Sequence, residues 1–247
     1  MAGSSGSGRK KERTFSPADI KLFYESPFAS FMEQLDREVP NHGLTADLVS
    51  MGSGSNGDLD PTKNSGFIEQ LKAAGNSVVL IAENAHEAGR QLDTVNSMRA
   101  GANFIFNAHL SVVPLAGRTD ILVRTPGASR LGDFHYIPAK FYPQDPVLTE
   151  LPVELCCFVD MLEHLQGKRP EEVLQITNPS SASPHIGRLP VDAYMFDYRR
   201  LKIGYRQAQM AFDPQSPPDP EESRHWGRWS RQARRILMRN ARKTPAA

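Results

Sequence analysis

Apolar and polar positions recur along the chain in blocks that predict both helices and strands. The first block opens at Ser16-Pro17-Ala18-Asp19, where Ser16 is an expected helix cap. Pro17 at the first helical position loses no needed hydrogen bond. Ile20, Phe23, Phe28, Phe31, Met32 and Leu35 follow near helical spacing, and Pro27 is expected to interrupt the segment. A helix over about 62–75 is closed by Gly75. Val78-Val79-Leu80-Ile81 reads as a buried strand, residues 85–99 as a helix, and 103–110, 118–124 and 133–137 as strands. Thr125-Pro126-Gly127-Ala128-Ser129 carries turn chemistry. Residues 152–166 form a strong helix, with Val153, Cys157, Met161 and Leu165 on one face and Gly167 at its end. A strand over 173–177 and an aromatic helix over 194–212 complete the pattern.

The order of these elements does not alternate regularly. It predicts a mixed α/β domain rather than a doubly wound parallel sheet. Residues 40–61 are loop-like, 178–190 are rich in Ser and Pro, and 214–220 form a Pro-rich break. The expected organisation is a disordered tail over 1–13, one folded domain over 14–212, and a linker with a basic helix over 213–247.

Composition narrows the classes. The chain has 247 residues, 29 Lys and Arg against 28 Asp and Glu, two cysteines and 39% hydrophobic residues. It is long enough to bury a core, and its balanced charge excludes a wholly basic nucleic-acid protein. No apolar run approaches the roughly 18 residues of a membrane span, so no membrane partner is expected. Residues 1–8 lack the apolar segment of a secretory leader, and the adjacent Cys156 and Cys157 cannot make a disulfide framework. A reducing cytoplasm is the expected compartment.

Most motif searches return nothing. The chain has no phosphate-binding Gly-x-x-x-x-Gly-Lys-Ser/Thr loop and no Cys-x-x-Cys pair. Its seven histidines make no helical His-x-x-x-His pair. The informative stretch is Gly117-Arg118-Thr119-Asp120-Ile121-Leu122-Val123-Arg124, followed by Asp133-Phe134-His135-Tyr136 and then Lys140. An acid at the start of a strand, a hairpin and a second strand ending in a lysine suit a metal-dependent nuclease core. Hard cations such as Mg²⁺ or Mn²⁺ take oxygen ligands, and a lysine can steady the scissile phosphate.

With the stretches Ser16–Phe23, Gly117–Tyr136, Glu154–Leu162 and Tyr198–Phe212, residues 14–240 resemble the RecB-family nucleases of the PD-(D/E)xK fold. The resemblance is to the branch usually joined to a superfamily 1 DNA helicase. It implies a restriction-endonuclease-like fold over 14–212, with a mixed central sheet flanked by helices. It also implies Mg²⁺ or Mn²⁺ as cofactor, DNA (single-stranded DNA included) as partner and a helicase as a further one.

The departures from that pattern bear on activity. Where the family has a His-Glu pair, this chain reads Lys63-Asn64; where it has an acid before its motif lysine, this chain reads Ile137-Pro138-Ala139-Lys140. Glu154 and Phe158 stand where the family has Gln and Tyr, and Ser26-Pro27 replaces a cluster-binding Cys-Pro, so no iron–sulfur cluster is expected. Asp120 matches the family's strand aspartate. Lysines near a cation repel it by on the order of 4 kcal/mol at ~4 Å and an effective dielectric of ~20. The expectation is a nuclease-fold protein with a degenerate metal site. The alternative is an active nuclease with rearranged ligands, in which Asp120, Asp133 and Glu154 hold metal and Lys140 meets the phosphate. A third reading is a protein-interaction module on a nuclease scaffold.

Arg228, Arg231, Arg235, Arg239 and Arg242 recur at three- and four-residue spacing and are the expected phosphate contacts. Trp226 and Trp229 are read as packing anchors, and His135 with Tyr136 is expected beside the acid site.

Overall fold

The computed structural model describes residues 14–47, 65–83, 86–142, 151–178 and 184–242. Lys63 and Asn64 and the N-terminal tail lie outside them. Helix α1 (Pro17–Glu25) begins as a capping box: the Ser16 hydroxyl accepts from the Asp19 amide, and the Asp19 carboxylate accepts from the Ser16 amide at 2.8 Å. Ser26 ends α1 and starts α2 (Pro27–Glu38), its hydroxyl accepting from the Ala29 amide at 2.9 Å. Pro27 therefore separates two helices, as its missing N–H demands.

Six strands follow in spatial order identical to their chain order. They are β1 (Val78–Leu80), β2 (Phe104–Val112), β3 (Leu115–Ser129), β4 (Gly132–Tyr142), β5 (Glu172–Thr177) and β6 (His185–Pro190). Strands β2, β3 and β4 form an antiparallel meander. Helix α4 (Glu87–Arg99) links the parallel pair β1–β2, and α5 (Val153–Gln166) links the parallel pair β4–β5. Strand β6 adds an antiparallel edge. The expected mixed α/β architecture, a central sheet flanked by helices, is present.

Alternation along the strands divides the sheet into two apolar faces. Leu122, Tyr136 and Val173 pack with Leu155, Val159 and Leu162 of α5, with Ile20 of α1 and with Tyr198 and Tyr205 of α6 (Asp192–Met210). Ile121, Ile137, Ala139 and Leu174 turn the other way, against Phe67 of α3 (Ser65–Ala73). A third cluster joins Phe28, Met32 and Leu35 of α2 to Trp229 and to Ala233 of α7 (Ser230–Ala241). The C-terminal helix thus packs on α2 through a fully buried tryptophan.

One side chain substitutes for a strand. Gln166, fully buried at the end of α5, accepts from the Tyr136 amide at 2.8 Å and donates to the Tyr136 carbonyl at 3.0 Å. It holds β4 to α5 ahead of the first β4–β5 pair, Ala139 with Leu174. Gly167 then closes α5 with φ +66°, as the sequence predicts.

Several elements differ from the sequence reading: β1 is a sheet-edge strand with Leu80 half exposed rather than a buried one, and β4 runs on to Tyr142. The Thr125–Ser129 stretch is the end of β3, not a turn: Pro126 pairs with Phe134, and the ladder is irregular between Pro126 and Ser129. Gly127, at φ +132°, absorbs that irregularity. Strand β6 is absent from the sequence reading. It has few apolar residues, and its pairing with β5 supplies what its side chains do not.

Candidate functional site

The β3–β4 register pairs Ile121 with Ala139. Asp120 and Lys140 each stand one residue beyond that pair, on neighbouring strands, on the face opposite Ile121 and Ala139. That face is the one α5 covers. Asp120 is 9% exposed, and its Oδ2 accepts from the Phe141 amide at 2.8 Å. Glu154, in the first turn of α5, is 8% exposed. Its Oε2 meets Lys140 Nζ at 3.0 Å and Lys21 Nζ of α1 at 3.6 Å. Gln175 is the β5 partner of Lys140 and hydrogen-bonds Tyr142, closing the wall of the cluster.

Electrostatics follow from burial. Removal from water pushes the Asp120 carboxyl up, against the pull of Lys140 and the Phe141 amide. Burial also raises the Tyr142 phenol, and the Glu154 carboxylate reinforces the shift. On the next strand, His109 pairs with Arg118, which itself bonds Glu83 at 3.0 Å. Burial, Arg90 and Arg118 together bring His109 down to about 4. Neutral imidazole is therefore the form present near pH 7.

This donor set does not fit a Mg²⁺ site of the ordinary kind. Asp120 already accepts a backbone amide, and Glu154 is already shared between two ammonium groups. Among the described residues no group of three or more His, Cys, Asp and Glu converges. Mg²⁺ normally takes one or two free carboxylates together with water and substrate oxygens.

The sequence-expected residues divide accordingly. Asp120, Lys140 and Glu154 come together. Asp133 does not: it is exposed at the start of β4, seven residues before Lys140, or roughly 23 Å along a strand. Tyr136 is fully buried, its hydroxyl donating to the Ala102 carbonyl at 2.7 Å. His135 points to the opposite face of the sheet, so neither adjoins the acids. Phe158 and both cysteines lie in the core, and burial lifts the Cys156 thiol to about 12. Lys21 and Tyr142 were not singled out from sequence; no local spacing ties either to Glu154.

The arginines also divide. Arg228 holds both Glu33 oxygens, at 2.7 and 2.6 Å, and Asp36 at 2.9 Å. The Trp229 indole donates to the same Glu33 at 2.9 Å. Arg231 engages Asp47 through its amide at 2.9 Å and its side chain at 3.4 Å. Arg228 and Arg231 thus fasten the C-terminal segment to α2 and the segment after it. Arg235, Arg239 and Arg242 are exposed along α7 and at its end.

No helix of the described residues is long and apolar enough to cross a membrane. A comparison with protein-family models finds no match to the chain, and one with curated proteins finds none either.

Proposed function

We propose that this chain is a RecB-like nuclease-fold protein that contacts nucleic acid and does not cut it. The six-stranded mixed sheet is compatible with a nuclease-like fold. The observation that carries the reading is the 3.0 Å pair between Lys140 and Glu154. Lys140 and Glu154, which would meet phosphate and metal in a nuclease with rearranged ligands, neutralise each other here. A divalent cation entering the cluster would have to compete with Lys140 and Lys21 for the charge of Glu154. Arg235 and Arg239 of α7, with Arg242 at its end, supply the phosphate contact.

The test is a mobility shift of labelled single-stranded DNA at low salt, with Mn²⁺ present. The reading expects a salt-sensitive shift and intact DNA. Absence of any shift at low salt would transfer support to a protein-interaction module.

One observation favours a second reading, the active nuclease. Asp120 and Glu154 converge on a single lysine, so two acids and a cation do share one spot. That reading requires cleavage with Mn²⁺, abolished by Glu154→Gln.

A further inference from the structure

On the sheet face opposite the acid cluster lies a cavity of about 480 Å³, floored by His135 and Ile137 of β4. His135 is 4% exposed, and its Nδ1 has no hydrogen-bond partner among the described residues. The Gly127 backbone lies alongside the ring. Lys168 approaches the same nitrogen. A Cβ on Gly127 would stand 2.7 Å from Lys168 Nζ and 3.2 Å from His135 Nδ1, so both nitrogens border this glycine. The nearby ammonium and burial both favour neutral imidazole.

We propose that this cavity binds a small phosphomonoester, with its phosphate held by Lys168 and His135. The charges of the walls select the group. Arg188 is committed to Glu172 by a close ion pair. Among the described residues the ion-pair partner of Lys168 is Glu171, at 3.8 Å, and that carboxylate is 85% exposed. A solvated carboxylate at this distance is a weak partner. A phosphate dianion brings twice its charge and several acceptor oxygens, and so displaces it from Lys168. The same oxyanion accepts from Nδ1–H of the His135 tautomer that donates there, satisfying a buried polar atom otherwise left without a bond. The volume exceeds what a bare phosphate fills, and Ile137 and Pro190 offer apolar wall to an organic substituent.

The experiment follows the His135 ring nitrogens by NMR at pH about 8, where phosphate is a dianion. The probes are inorganic phosphate, phenyl phosphate and benzoate. The expected result is a saturable shift, tighter for phenyl phosphate than for inorganic phosphate and weakest for benzoate. Lys168→Ala should weaken phenyl phosphate by about tenfold or more. A linear, unsaturated response overturns the proposal. So does an equal affinity in Lys168→Ala, and so does benzoate binding as tightly as phenyl phosphate. Lys168→Arg keeps the charge and should retain binding, which separates loss of the site from loss of fold.

Discussion

Lys140 of β4 and Glu154 of α5 form a 3.0 Å ion pair whose side chains are 15% and 10% exposed. A pair so far from water is sensitive to the loss of one member, because the survivor keeps its desolvation penalty. Lys140→Met should destabilise the fold by about 2–4 kcal/mol in urea unfolding, with Lys21 giving Glu154 partial relief. Adding Glu154→Leu should recover most of that loss. An unchanged midpoint in Lys140→Met would show that the pair is solvated.

Gln166 supplies a second long-range tie. Gln166→Leu leaves the Tyr136 N–H and C=O without their partners and should cost about 2–3 kcal/mol. Gln166→Glu should do no better, since a carboxylate offers no donor to the Tyr136 carbonyl. Hydrogen exchange at Tyr136 reads the effect locally.

These ties mark how far the sequence could be read. Ser16, Pro17, Pro27 and Gly167 act on backbone within a few residues of themselves, and each stands where local chemistry puts it. The apolar face of α5 was legible for the same reason. The lengths of β3 and β4 were not. Pro126-Gly127 reads as a turn, yet pairing with β4 carries the strand past it. The rearranged-ligand alternative groups Asp133 with Lys140; in the 11-residue β4 they stand near opposite ends. The approach of Lys21 to Glu154 depends on packing of α1 against α5 and leaves no trace in spacing.

His109 makes stability depend on pH. Its folded value is about 4, against about 6.5 in the unfolded chain. Between these values the unfolded state binds more protons, so stability falls as pH drops from about 6.5 to about 4 and no further below. The loss assigned to this residue is on the order of 2 kcal/mol once partial exposure is allowed for. His109→Gln should lack it, and the difference between the two proteins at pH 7 and pH 4.5 isolates it. Equal losses would remove His109 as the cause.

Arg235, Arg239 and Arg242 should set the salt dependence of single-stranded DNA binding. Replacing all three with alanine should flatten the slope of log K against log salt by about 2, at about 0.7 per phosphate contact. Arg228→Lys should leave that slope unchanged, because Arg228 is held by Glu33 and Asp36. An unaltered slope in the triple variant would place the nucleic-acid surface elsewhere.

The most direct test is a calorimetric titration of Mn²⁺ into the protein, with Asp120→Ala as control and single-stranded DNA incubated alongside. Acids neutralised from within should give no saturable heat, and the DNA should stay intact. Micromolar binding that disappears in Asp120→Ala, together with cleavage by the unaltered protein, would contradict the account.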